Sequence, residues 1–140
     1  MDVGLDAERP GVPRPDAAVI LLDTNAVIWL DRGHPRMRGL LRLRQRLYVS
    51  PATLLEMQFL DDAGRIKVSH AGLRSLRDDH RWLVDEPPAA VWFLRAADET
   101  WTRDPFDRLL VGHALLRRWR FATADARILE RLGEAHAVAL

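Results

Sequence analysis

Cysteine is absent from this 140-residue chain, and lysine occurs once, at Lys67. The lack of cysteine excludes disulfide bonds, thiolate metal sites and a cysteine nucleophile, and it suits a reducing cytoplasm. Any metal must therefore bind through oxygen or imidazole ligands. No apolar run approaches the roughly 20 residues that span a bilayer, and the acidic, proline-rich N-terminus is unlike a signal peptide. We expect a cytoplasmic protein without a membrane segment.

Arginine supplies twenty of the twenty-one basic residues, although the net charge is only +1. Six arginines fall between positions 32 and 46, a segment without a single acid. Because guanidinium groups bind phosphates through paired hydrogen bonds, Arg36, Arg38 and Arg42 are candidates for contacts with nucleic acid. A solvated helix face explains the same pattern, and the sequence leaves both interpretations open.

Strand and helix patterns alternate along most of the chain. Residues 1–16 carry proline, glycine and charge without periodicity, so we expect a flexible extension followed by one domain over 17–140. Short apolar runs predict five strands, and capping and periodic patterns predict the helices between them. The predicted strands lie near 18–22, 47–49, 82–84, 120–123 and 137–140; the helices lie near 26–32, 36–45, 51–63, 73–79, 87–97, 105–119 and 126–132. Residues 66–69 fit an edge strand or a loop.

This alternation predicts an α/β fold with helices on both faces of a central, mostly parallel sheet of four to five strands. In such sheets, ligands bind at the carboxyl ends of the strands. Asp23 and Asp125 each follow a predicted strand, whereas Glu56 and Asp107 lie on helices near such ends. The four acids come from distant segments and are expected to meet at one edge of the sheet.

The start of the longest predicted helix sets two acids three residues apart. Proline is favoured at the first helical position, so the helix should begin at Pro105 with Asp104 as its N-cap. Asp107 then falls on the first turn, where an acid is favoured by the helix dipole. Both acids can therefore be caps alone. If the other acids converge here, Asp107 becomes a ligand, and Asp104 remains mainly a cap.

Clustered carboxylates repel one another unless a cation compensates them. Mg²⁺ and Mn²⁺ prefer oxygen ligands and often link carboxylates to a phosphate. The sequence therefore predicts a Mg²⁺ or Mn²⁺ site among these acids. Neighbouring polar residues can orient these carboxylates or simply cap helices; they are Thr24, Asn25, Ser50 and Thr123. His113 is expected to be a core or interface residue.

Four segments together resemble PIN-domain proteins, and most closely VapC-type toxins. They are residues 21–25 (LLDTN), 50–56 (SPATLLE), 103–110 (RDPFDRLL) and 122–125 (ATAD). The resemblance spans about residues 18–140 and implies a three-layer α/β/α fold. It also implies a metal-dependent endoribonuclease that hydrolyses RNA with metal-activated water, with Asp23, Glu56, Asp107 and Asp125 as catalytic metal ligands. Asp104 matches the same motif and is an additional candidate ligand. A small antitoxin partner and a homodimer are further implications of the resemblance.

Two other classes of protein share some of these sequence features. A non-catalytic PIN module that binds RNA or a protein partner through the arginine-rich helix is the main alternative. A phosphotransfer domain of another α/β family fits poorly, because Asn25 stands where a haloacid-dehalogenase-like enzyme needs a second Asp. Receiver domains need a lysine after a late strand, and none is present there.

Overall fold

The computed structural model describes residues 16–68 and 72–140. The predicted extension lies outside these ranges, except for Asp16, which begins the first strand. The strands are β1 Asp16–Leu22, β2 Arg46–Val49, β3 Leu83–Val84, β4 Trp119–Thr123 and β5 Ala137–Ala139. The helices are α1 Thr24–Arg32, α2 Arg38–Arg42, α3 Pro51–Asp62, α4 Gly72–Arg77, α5 Ala89–Ala97, α6 Pro105–Arg117 and α7 Ala126–Leu132, and a 3₁₀ turn spans Pro35–Met37.

The strands of the described ranges form one sheet in the order β3-β2-β1-β4-β5, and every pair is parallel. The predicted, mostly parallel sheet is therefore confirmed. The strand order reverses between β1 and β4, which are direct neighbours. At such a reversal the connections leave the two strands in opposite directions and open a crevice at their carboxyl ends.

Apolar side chains of β1 alternate between two cores, one on each face of the sheet. Ile20 and Leu22 pack in a core with α1, α2 and α3, whereas Leu21 packs in a second core with α5, α6 and α7. All three side chains are fully buried. Each such burial contributes about 2 kcal/mol to stability. Because helices cover both faces of the sheet, side chains on both sides of β1 are buried, which explains why the run is continuously apolar. The fold therefore has three layers.

Helices α5 and α6 pack closely at Gly112. A Cβ atom placed there would lie 3.0 Å from the Cα of Ala96, a contact closer than packed side chains allow. His113, the next residue, is fully buried, in agreement with its predicted place in the core. Its Nε2 lies 2.7 Å from Asp85, at the end of β3.

The predicted basic helix over 36–45 is shorter than expected. Pro35 begins a 3₁₀ turn capped by His34, α2 follows for only five residues, and Arg44 adopts a left-handed conformation with φ of 53°. That turn redirects the chain into β2. Residues 66–68 form a loop, which is one of the two conformations predicted for that segment.

None of the helices in the described ranges combines the length and apolar character that a membrane span requires.

Candidate metal-binding and active site

A cavity of about 350 Å³ opens at the carboxyl ends of β1 and β4. All five acids singled out in the sequence line it, and they come from four separate segments. The lining residues are Asp23, Thr24, Asn25, Glu56, Leu60, Arg65, Ile66, Asp104, Asp107 and Asp125. At about 30 Å³ per water molecule, this volume accommodates a hydrated cation together with a phosphate group.

Asp23 closes β1 and begins α1. Its Oδ1 accepts a hydrogen bond from the backbone N–H of Thr24 (2.7 Å), and its Oδ2 accepts one from the Thr123 hydroxyl (2.6 Å). Burial raises the pKa of Asp23, the two hydrogen bonds lower it, and the charges of Asp125 and Asp104 raise it further. The carboxylate is held in one orientation at a place that disfavours its negative charge.

Glu56 lies on the second turn of α3 and is half-buried. Its Oε1 accepts a hydrogen bond from the hydroxyl of Thr24 (2.6 Å), and that hydroxyl lies 3.0 Å from the hydroxyl of Thr53. Since Thr24 gives its only hydroxyl proton to the carboxylate, Thr53 must donate to Thr24. Burial raises the pKa of Glu56, the bond from Thr24 lowers it, and Asp23 raises it.

The two acids at the start of α6 have different surroundings. Asp104 is exposed and caps the helix, because its Oδ1 accepts from the backbone N–H groups of Phe106 (2.8 Å) and Asp107 (3.1 Å). The predicted N-cap is therefore confirmed. Asp107 is half-buried on the first turn. Burial and, after it, the charges of Asp104, Asp23, Asp125 and Glu56 together raise the pKa of Asp107 to about 7.

Asp125 begins α7 as its N-cap. Its Oδ1 accepts from the backbone N–H groups of Arg127 (2.9 Å) and Ile128 (3.1 Å), and its own N–H donates to the Thr123 hydroxyl (3.0 Å). Thr123 thus links Asp125 to Asp23, which accepts the hydroxyl proton of the same residue. One threonine fixes the relative positions of two acids that are about a hundred residues apart in sequence.

The donor chemistry of the cavity fits a hard divalent cation, because the acids that line it offer carboxylate oxygens and their charges raise the pKa of Asp107. Within the described residues, no three acidic or histidine side chains are arranged to ligate one ion directly. Mg²⁺ commonly keeps several waters and binds proteins through one or two carboxylates. The cavity therefore fits a hydrated Mg²⁺ or Mn²⁺ ion better than a dehydrated one.

Sequence reasoning missed Arg65, which also lines the cavity. Gly64, with φ of 72°, ends α3 in a left-handed conformation. The N–H of Gly64 then donates to the carbonyl of Asp61, and the N–H of Arg65 donates to that of Leu60, both at 2.9 Å. This is the Schellman arrangement of a helix end. The glycine itself was the available signal, since it predicts a turn that folds the next residue back along the helix.

Other predicted residues are placed differently. Asn25 is exposed and lines the cavity, whereas Ser50 is buried and caps α3 through a bond from the N–H of Ala52 (3.2 Å). The remaining predicted residues are exposed on the 3₁₀ turn and α2, outside the cavity lining; they are Arg36, Arg38 and Arg42. The structure does not bring the arginine-rich segment into the acidic site.

A family model described as a PIN domain matches residues 20–135. No curated protein matches the chain. A chain of a toxin–antitoxin complex from Klebsiella pneumoniae has a TM-score of 0.62 and 18% identity, covering 86% of this chain and 96% of that one. A chain of the VapBC2 complex from Rickettsia felis, bound to a DNA fragment from its promoter, has a TM-score of 0.59 and 16% identity. The match covers 86% of this chain and 98% of that one. A chain of FitAB bound to an IR36 DNA fragment has a TM-score of 0.51 and 20% identity, and the match covers 86% of this chain and 94% of that one. These structures share the fold described above.

Proposed function

Because this chain belongs to the PIN-domain family, we propose that it is a metal-dependent endoribonuclease that hydrolyses phosphodiester bonds in RNA. The observation that carries the proposal is the convergence of five carboxylates on one cavity at the carboxyl edge of the sheet. Four of them would hold Mg²⁺ or Mn²⁺; they are Asp23, Glu56, Asp107 and Asp125. Asp104, which caps α6, lies beside them.

The residues around these acids define what the protein contributes to the reaction. Thr123 and Thr24 hold the carboxylates of Asp23 and Glu56 in fixed orientations, so little reorganisation accompanies ion binding. Arg65 lines the same cavity and offers a guanidinium group to an RNA phosphate. When bound, the ion lowers the pKa of a water molecule and polarises the phosphodiester.

The substitution Asp107→Asn tests the proposal directly. It removes the charge of one proposed ligand at almost constant volume, and we expect RNA cleavage to fall more than about 100-fold, since even residues that only position ligands contribute 10- to 100-fold. Cleavage of a total RNA pool would be measured with Mg²⁺, with Mn²⁺ and with EDTA. The matched control is Asp62→Asn, which changes an exposed acid at the end of α3, outside the cavity. Equal cleavage by wild type and Asp107→Asn, with metal supplied, would contradict the site assignment.

A second candidate function is a non-catalytic module that binds RNA or a protein partner. It is favoured by the exposed arginines of the 3₁₀ turn and α2, and by the lack of a preformed three-ligand group in the described residues. The experiment above separates the two functions. Retained RNA binding without divalent-dependent cleavage of any RNA would favour the binding module, and binding would then weaken when Arg36, Arg38 and Arg42 are replaced.

We further propose that the protein is the toxin of a VapBC-type pair, with a small antitoxin as its partner and a homodimer as its assembly. Support comes from the toxin–antitoxin complexes whose chains share its fold. A small protein encoded by the adjacent reading frame should co-purify with it and suppress its RNA cleavage. Light scattering on the purified chain tests the homodimer, for which α5 offers exposed apolar side chains at Val91, Phe93 and Leu94.

A further inference from the structure

Glu99 is a buried carboxylate outside the cavity, in the loop between α5 and α6. Only 1% of its surface is exposed. Its Oε1 accepts hydrogen bonds from Trp101 Nε1 (2.8 Å) and Arg131 Nε (2.9 Å). Its Oε2 accepts from Arg95 Nη1 (2.8 Å) and Arg131 Nη2 (3.1 Å). The contact with Arg131 is therefore bidentate, the geometry in which a guanidinium group constrains a carboxylate most strongly.

This arrangement ties the loop to α7, the helix that begins at the cavity residue Asp125. Arg131 lies on α7, and one turn earlier Arg127 donates from Nη2 to the carbonyl of Trp101 (2.8 Å). The guanidinium carbon of Arg127 also lies 5.7 Å from the centre of the Trp101 ring. Two contacts one turn apart fix both the rotation and the axial position of α7 relative to the loop.

The same loop is tied to α6, which carries Asp107. The hydroxyl of Thr102 accepts a hydrogen bond from the N–H of Asp104 (3.2 Å), and its carbonyl accepts one from Arg108 Nε (2.7 Å). Thr102 is buried. The loop over residues 98–104 is therefore a short, well-bonded link between the helix starts that present Asp107 and Asp125.

We propose that Glu99 is a positioning residue for the metal site: through Arg131, in the last turn of α7, it holds that helix against the loop that leads into α6, and so sets the separation of Asp125 and Asp107. The proposal rests on the proposed function. Glu99 lies outside the cavity lining, so it would touch neither RNA nor metal. Its partners are four residues before it, two after it and 32 after it in the chain, so nothing in the local sequence marks it.

Two arginine substitutions separate positioning from general stabilisation. Arg131→Ala breaks the link between Glu99 and α7, whereas Arg95→Ala removes a partner of the same carboxylate that lies within α5. Both arginine side chains are about one-third exposed, so both variants should fold. Glu99→Gln is the more direct change, but it leaves buried donors facing an amide and can prevent folding.

The Mn²⁺ dissociation constant of each variant would be measured without RNA, and kcat and KM for RNA cleavage with metal at saturation. We expect Arg131→Ala to raise the dissociation constant and lower kcat, each about tenfold, with KM nearly unchanged. Arg95→Ala should resemble wild type in all three quantities, even if its thermal midpoint falls as far as that of Arg131→Ala.

Wild-type values for Arg131→Ala would overturn the proposal, and so would equal losses in both variants, since these would reflect stability alone. A wild-type protein that neither binds Mn²⁺ nor cleaves RNA would instead refute the proposed function itself. Wild-type binding and cleavage, combined with an unaffected Arg131→Ala, would refute only the role of Glu99.

Discussion

Glu99 and Asp107 are acids eight residues apart, and the protein treats them in opposite ways. Burial raises the pKa of Glu99, but hydrogen bonds from Trp101, Arg131 and Arg95 lower it by more, so its pKa lies below the usual range. Burial and the charges of four other acids together raise the pKa of Asp107 to about 7. One carboxylate is neutralised by the protein, and the other is not.

The difference shows that uncompensated charge in the cavity is not forced by a lack of cations. The chain has twenty arginines, and it places two of them on Glu99. None of the ion pairs within the described ranges involves a cavity acid. Charge of one sign gathered without a partner lowers stability unless a cation from solution binds there.

Substitution of the two acids by their amides should move stability in opposite directions. At pH 8 without divalent ions, Glu99→Gln should lower the free energy of unfolding by about 2 kcal/mol, because donors of three side chains lose a charged acceptor. Asp107→Asn should raise it by about 1 kcal/mol, since it removes repulsion that solvent partly screens around a half-buried group. Urea unfolding followed by circular dichroism measures both changes.

If both variants lost stability, Asp107 would be compensated in solution by a partner within the protein, and the contrast between the two acids would be wrong. Adding Mg²⁺ should make wild type more stable to unfolding than Asp107→Asn, because only the intact site gains binding energy.

The pH dependence of stability should reveal the same contrast with a smaller effect. An unfolded Asp has a pKa near 3.9, so between about pH 4 and 7 the folded protein binds the additional proton at Asp107, and its stability falls as pH rises. Glu99 is ionised throughout pH 5–8 and contributes no slope there. His113, whose pKa burial lowers, contributes a slope of opposite sign below its unfolded pKa of about 6.5.

The difference in thermal midpoint between wild type and Asp107→Asn removes the contribution of His113, which is present in both, and leaves that of Asp107 together with its coupling to Asp23 and Glu56. Thermal midpoints from pH 5 to 8 in EDTA should fall by about 3 °C more in wild type than in the variant. If the thermal midpoints of wild type and variant changed in parallel with pH, Asp107 would have an ordinary pKa, and the expected shift would be contradicted.

Arg65 contributes a cationic side chain to the lining of the cavity, and its removal should have the smallest effect. Arg65→Ala should raise KM for RNA about fivefold, the loss of one exposed phosphate contact, with kcat and Mn²⁺ affinity nearly unchanged. Arg74→Ala, an exposed arginine on α4, serves as control. Unchanged KM in Arg65→Ala would assign the phosphate contact elsewhere.

The sequence was most informative where chemistry is local. The apolar run before Asp23 predicted a strand buried on both faces, and Asp104 followed by Pro105 predicted a helix start that the structure confirms to the residue. Both signals depend only on neighbours in the chain. The parallel sheet followed from the alternation of such segments, although the direct pairing of β1 with β4 could not be read from it.

The acids of distant segments were expected to meet at the carboxyl edge of the sheet, and they line one cavity, but individual side-chain contacts between distant segments were not predictable in this way. Glu99 looks like an ordinary loop acid until Arg131 is seen beside it, and Arg65 reaches the cavity only through the turn at Gly64. The length of the basic helix was overestimated because its arginines favour helix formation. The left-handed turn at Arg44 ends the helical segment and leads the chain into β2.

Calorimetric titration of Mn²⁺ into the RNA-free protein shows whether the cavity acids bind a divalent ion. Because the ion pairs within the described ranges leave out the cavity acids, these acids should bind Mn²⁺, and wild type should show saturable binding. Asp107→Asn should show none at the same concentrations, and Asp62→Asn should match wild type. Absence of binding to wild type, or equal binding to Asp107→Asn, would contradict the account.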